Sequence, residues 1–102
     1  MRLSLRVINS DIEKGEKSNP SKCAIARSIK RNKNITVKSV SVFHDICVVK
    51  TVKNGKTTTY RASMPEQAQD FVMRFDRELC VAPISFNLDF ARKSTKQAYI
   101  LN

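Results

Sequence analysis

A chain of 102 residues is enough for one domain and not two, and its 41% hydrophobic share allows a modest core without cross-links. Nineteen Lys and Arg against nine Asp and Glu leave a net charge of +10, which favours a polyanionic partner: nucleic acid, an anionic membrane surface or an acidic protein. Two glycines, one histidine and three well-separated cysteines exclude a Gly-rich phosphate loop, a zinc set and a disulfide framework, so Cys23, Cys47 and Cys80 are expected as reduced, mostly buried thiols.

No apolar run approaches the ~20 residues of a membrane span. The opening "MRLSLRV" is interrupted by Ser4 and Arg6, so no secretory leader is expected and the reading is of a soluble intracellular protein.

In chain order, Leu3, Leu5 and Val7 alternate with Arg2, Ser4 and Arg6, the period of a half-buried strand. "NSDIEKG" then reads as a short turn capped by Ser10, carrying Asp11 and Glu13 and ended by Gly15. Asn19-Pro20 opens the first predicted helix, with Asn as N-cap and Pro in the first turn. Ile25, Ala26 and Ile29 share its core face, and Arg27, Lys30 and Arg31 its adjoining flank. Such late cations also oppose the negative end of the helix dipole.

"ITVKSVSVF" reads as a strand whose phase slips, because Ile35 and Val37 have one parity and Val40 and Val42 the other; a bulge near Lys38-Ser39 reconciles them. His44-Asp45 makes a turn. Two further strands flank Asn54-Gly55, a pair suited to a two-residue hairpin turn. The implied register pairs Lys53 with Lys56, Thr51 with Thr58 and Val49 with Tyr60.

Ser63-Met64-Pro65-Glu66 has the form of a capping box. It introduces a second helix whose stripe of Met64, Ala68, Phe71, Val72, Phe75 and Leu79 belongs in the core. The solvent side of this helix is net acidic. After Pro83, Ile84, Phe86, Leu88 and Phe90 form one face of a final strand. The order β-α-β-β-β-α-β predicts a two-layer α+β domain over residues 1–90. Its mainly antiparallel sheet has four to five strands and carries two amphipathic helices. Residues 91–102 form a basic tail, docked or flexible, with Tyr99, Ile100 and Leu101 as its apolar group.

The stretches "RVINSDIEKG", "CAIARSIKR" and "FVMRFDRELCVAPISFNL" together resemble a group of small uncharacterised proteins encoded by tailed phages and prophages. Their pattern is a strand, D-I-x-x-G, a helix opening C-P-I-A, and a late F-I-x-x-F-D and V-x-P-x-x-F. The matching residues are Asp11, Ile12, Gly15, Cys23, Ile25, Ala26, Phe71, Phe75, Asp76, Val81, Pro83 and Phe86, spread over roughly residues 5 to 90. Many such proteins have a second Cys three residues before the helix Cys; here Pro20 stands there, and Ala24 replaces the usual Pro. With that Cys missing, Cys23 carries no argument for a metal or a disulfide. The resemblance implies a phage accessory protein acting in a bacterial cytoplasm and implies no activity.

For enzyme chemistry the residues are poor. His44 and Cys47 would point to opposite faces of a strand, and no paired carboxylates stand apart from the solvated surface. No catalytic residue, metal ligand or cofactor is expected. For nucleic-acid binding they are richer. Residues 14–38 hold eight cations and one acid, the hairpin adds Lys50, Lys53, Lys56 and Arg61, and the tail adds Arg92, Lys93 and Lys96. Convergence of these segments would make a basic stripe with Tyr60 available for stacking. The expected contacts are Arg27, Lys30, Arg31, Lys33, Lys53, Lys56, Tyr60, Arg61, Arg92, Lys93 and Lys96, with DNA or RNA as partner. The alternative is an inhibitor docking on an acidic or nucleic-acid-processing host protein, anchored by Met73 and the tail apolars. A membrane helix is not expected, and nothing in the sequence specifies an oligomeric state.

Overall fold

The computed structural model describes residues 1–92. The chain runs through β1 (Arg2–Val7), α1 (Asn9–Lys14), α2 (Ala24–Lys30), β2 (Val37–Val42), β3 (Ile46–Lys53), β4 (Lys56–Ser63), α3 (Glu66–Asp76), β5 (Ile84–Asp89) and β6 (Ala91–Arg92). The fold is α+β and every strand pairing is antiparallel. The single expected sheet is divided in two: a β1–β5 pair and a four-stranded sheet in the order β2-β3-β4-β6.

The division lies at Phe90. Its backbone exchanges two hydrogen bonds with Met1, the Met1 ammonium donating to the Phe90 carbonyl at 2.9 Å and the Phe90 N–H to the Met1 carbonyl at 2.6 Å. One residue later, Ala91 pairs with Arg61. A single extended segment therefore serves β1 before Phe90 and β4 after it. The sheet thus claims Ala91 and Arg92, which the sequence reading assigns to the tail; the remaining tail, residues 93–102 with Tyr99, Ile100 and Leu101, lies outside the described residues.

Strand alternation builds the core. Leu3, Leu5 and Val7 of β1 meet Leu88, Phe86 and Ile84 of β5, while Val40, Val42, Cys47, Val49 and Ala62 line the inner face of the larger sheet. The β2–β3 register shifts between Val37 and Ser39, the expected bulge at Lys38, which brings Val37 and Val40 into the same core. Helix α2 packs against β1 of one sheet and β2 of the other, bridging the edge strands away from the Phe90 junction, and Ala24, Ile25, Ala26, Ser28 and Ile29 are all buried there.

The helices depart from the sequence reading at their ends. The predicted turn after β1 is a six-residue helix, α1, whose N-cap Ile8 donates its N–H to Asp11 Oδ2 at 3.0 Å. Asn19 caps no helix: its side chain accepts from the N–H and hydroxyl of Ser21, holding a local turn, and α2 begins later with Cys23 as its N-cap. Ser63 ends β4 instead of forming a capping box; Pro65 is the N-cap of α3, its carbonyl accepting from Ala68 and Gln69. At the other end α3 stops at Asp76. Glu78 takes a left-handed conformation at φ 60, and the Leu79 N–H folds back onto the Arg74 carbonyl at 2.9 Å. Leu79 is therefore 49% exposed and not the last member of the core stripe. Among the described residues no helix is long and apolar enough to cross a membrane.

Candidate nucleic-acid interface

The cations of α2 do not stand free. Asp11, only 1% exposed, lies beneath them. Arg31 forms an ion pair with it through Nη2, adds a 3.4 Å hydrogen bond from Nε to Asp11 Oδ1, and donates from Nη2 to the Arg6 carbonyl at 2.9 Å. Arg27 Nε sits 3.8 Å from Asp11 Oδ1, buried and without a hydrogen-bond acceptor of its own. Lys30 Nζ donates to the Ser21 carbonyl at 2.5 Å. A buried carboxylate needs compensating charge, so this arrangement is what the interior requires. Three of the expected contacts are thus tied into the fold, Arg27 and Arg31 by Asp11 and Lys30 by the Ser21 carbonyl.

The cations of the β3–β4 hairpin are placed differently. The register is the expected one: Lys53 opposite Lys56, Thr51 opposite Thr58, Val49 opposite Tyr60. Asn54 and Gly55 turn the chain at φ 52 and φ 79. Residues 53–57 are exposed throughout. Alternation puts Lys53 and Lys56 on the face of Val49 and Tyr60, and Lys50 and Arg61 on the opposite, solvent face with Thr57 and Thr59. Tyr60 is half-buried and packs on the core, so the expected stacking aromatic is committed inward. Arg92 pairs with Tyr60 on β6; Lys93 and Lys96 lie outside the described residues.

One neighbour joins the hairpin. Lys38 occupies the bulge beside the Lys50–Thr51 segment, because Val37 pairs with Thr51 and Ser39 with Lys50. The Thr36 carbonyl accepts from the Val52 N–H at 3.0 Å, whereas Lys33, earlier in the same loop, lines a cleft with Ser4, Arg6 and Arg31 and is not brought to the tip. Lys38, Lys50, Lys53 and Lys56 therefore lie toward one end of the four-stranded sheet. Between Glu16 and Glu66 the only acid is Asp45, in the β2–β3 turn at the other end of β3, on the order of 25 Å away for eight residues of strand. Among the described residues the four ion pairs are Arg2–Asp89, Arg27–Asp11, Arg31–Asp11 and Arg74–Asp70, and none involves these lysines. The sequence reading leaves Lys38 out of the contact set; the slipped phase of β2 is the signal that places it beside the hairpin.

Other chemistry is sparse. Cys23 and Cys47 are buried and Cys80 is exposed, all three as free thiols. Burial pushes the Cys23 thiol up, and burial with the neighbouring Cys23 raises Cys47 to about 12, so neither is a thiolate near neutral pH. A cavity of about 30 Å³ beside Cys23, lined also by Phe71 and Phe75, has the size of a water molecule. His44 is exposed at a shallow cleft with Glu66 and Asp70, while Cys47 faces the core. No group of three or more His, Cys, Asp or Glu among the described residues could hold a metal ion.

No protein-family model matches the chain, and no curated protein or solved structure shows significant similarity to it.

Proposed function

We propose that this is a small, non-enzymatic accessory protein of phage type, acting in the host bacterial cytoplasm by binding nucleic acid through the lysine-rich end of its four-stranded sheet. One observation carries the reading: four lysines from the β2 bulge and the β3–β4 hairpin lie together in a stretch of sheet where no carboxylate occurs from Ile46 to Pro65. A field of one sign on an exposed, rigid strand pair attracts phosphate from a distance and holds it by counterion release. Farther down, Arg92 adds charge on the face of Lys53 and Lys56, and Arg61 on the face of Lys50. Threonine hydroxyls at 51, 57, 58 and 59 supply neutral donors between the charges.

The test is binding of fluorescent oligonucleotides, duplex and single-stranded, across a salt series. Neutralising about five duplex phosphates gives a log–log salt slope near −4.5. Absence of binding at low salt would overturn the reading, and a nuclease-treated pull-down from bacterial lysate would then examine an acidic host protein as the partner.

A further inference from the structure

We infer that the outer edge of β1 is a docking site for an extended, acidic peptide segment of a partner protein, which adds to the β1–β5 pair as a further strand.

Met1 and Phe90 exchange two backbone hydrogen bonds. Bonded pairs alternate along an antiparallel ladder, so Leu3–Leu88, Leu5–Phe86 and Val7–Ile84 are the bonded pairs of this register. The backbone groups of Arg2, Ser4 and Arg6 therefore point away from β5. Two contacts agree with that parity. Arg31 Nη2 reaches the Arg6 carbonyl at 2.9 Å, and Gln67 Nε2 reaches the Ser85 carbonyl, outward on β5, at 3.4 Å. The outward N–H and C=O of Arg2 and Ser4, and the N–H of Arg6, have no hydrogen-bond partner among the described residues. The edge strand of the other sheet, β2, is met by Pro20, whose carbonyl accepts the Val42 N–H at 2.9 Å.

Beside this edge lies an open cleft of about 200 Å³, lined by residues 4–6 of β1, by Ser28 and Arg31, and by loop residues 32–34. Its charged residues are Arg6, Arg31 and Lys33, and its lining holds no carboxylate. Asp11 balances Arg31, whereas Arg6 and Lys33 enter none of the four ion pairs among the described residues.

The alternation of donors and acceptors selects the class of partner. A peptide backbone offers an acceptor for each outward N–H and a donor for each outward C=O, which is how a strand is added to an open edge. A phosphate backbone offers acceptors and leaves the Arg2 and Ser4 carbonyls against anionic oxygen. A second copy of this chain is disfavoured by charge. In the antiparallel register of greatest overlap Ser4 would oppose Ser4, and Arg2 would oppose Arg6 on both sides of it. Acidic side chains on the guest, opposite Arg6 and near Lys33, supply the complementary sign. β1 belongs to a different sheet from the hairpin lysines, so peptide docking and nucleic-acid binding are lost separately.

The experiment is fluorescence anisotropy of the full chain with a labelled peptide alternating Glu and Val. Two N-methylated versions accompany it, one methylated on the Glu amides and one on the Val amides. A docked strand turns one parity of its amides toward β1 and the other away. The expected result is saturable binding of the parent peptide, a loss of roughly tenfold or more in one methylated version and near-parent affinity in the other. Ser4→Pro removes the central outward N–H and no bond to β5, a position where an edge strand tolerates proline; it weakens the peptide by a similar factor. Arg6→Glu also weakens it, with circular dichroism as the folding control for both variants. K53Q/K56Q keeps the parent affinity within about twofold, as a distant site should. Equal affinity of the two methylated versions, or unchanged affinity in a folded Ser4→Pro chain, overturns the inference; the methylated peptides decide it if that variant does not fold. Displacement of the peptide by an oligonucleotide whose own binding Arg6→Glu abolishes overturns it by giving the cleft to phosphate. A dimer of the free chain in sedimentation that Ser4→Pro dissolves overturns it by giving the edge to a second copy.

Discussion

Asp11 on α1 and Arg31 at the end of α2 form an ion pair in which the carboxylate is buried and the guanidinium half exposed. The same carboxylate accepts the N–H of Ile8 at the start of α1. One side chain therefore starts a helix, fastens that helix to its neighbour and uses two of the chain's arginines. Removing Asp11 leaves the half-exposed Arg31 to water but strands the Ile8 N–H and the buried Arg27 Nε, at about 1–3 kcal/mol. Asp11→Ala should lower the unfolding free energy in urea by an amount in that range, and its largest effect should be on stability.

The arginines of α2 and the lysines of the hairpin should then separate in opposite directions. Arg31→Ala destabilises the fold with little effect on the salt slope of nucleic-acid binding. Lys53→Gln leaves the urea midpoint within about 0.5 kcal/mol, as for an exposed side chain, and lowers the slope by about 1. Parallel urea and anisotropy titrations of the two variants check this inversion.

Gly15 ends α1 in an extended conformation, φ −69, so its role is not a left-handed turn. A Cβ there would lie 2.7 Å from the backbone nitrogen of Ala24 and 2.7 Å from the Asp11 carbonyl. Both are backbone atoms that cannot swing away. Gly15→Ala should cost about 1–3 kcal/mol through overpacking, read as a lower thermal midpoint.

Glu78 gives the reverse case. A left-handed backbone at φ 60 strains a residue with a Cβ by roughly 1–2 kcal/mol, and glycine removes that strain at some entropic cost. Glu78→Gly should raise stability by about 0.5–1 kcal/mol. A denaturant midpoint that falls would show that the Glu78 side chain contributes more than its backbone loses.

The thiols make a further measurable set. A thiol reagent should titrate Cys80 rapidly in the native protein and reach Cys23 and Cys47 only on unfolding, since both are buried. Cys47 is raised from 9.0 to about 12, so the folded state holds its proton more tightly than the unfolded chain. Its contribution is whole below pH 9 and is lost as pH rises toward 12, at up to about 1.4 kcal/mol per pH unit. Cys47→Ala should flatten that part of the alkaline decline.

Much of the fold was legible because it rests on local pattern. Alternation located β1, β5 and the hairpin, Asn54-Gly55 set the register, and the parity change at Lys38 located the bulge. The helix ends were not legible. Asn19 and Ser63 are good caps by type, yet Asn19 turns onto Ser21 and Ser63 completes a strand. Capping residues serve several local motifs, and neighbours in space choose among them.

The candidate site divides along the same line. Net charge, the acid-free span from Ile46 to Pro65 and the hairpin register are written in the order of residues, because each depends on composition or on contacts between near neighbours. The fate of each cation is not. Arg31 meets Asp11 only when α1 packs on α2, and Lys38 joins Lys50 and Lys56 only when β2 has found β3. Charges act through space and not along the chain, so the partition between interior ion pairs and an open field was settled by packing.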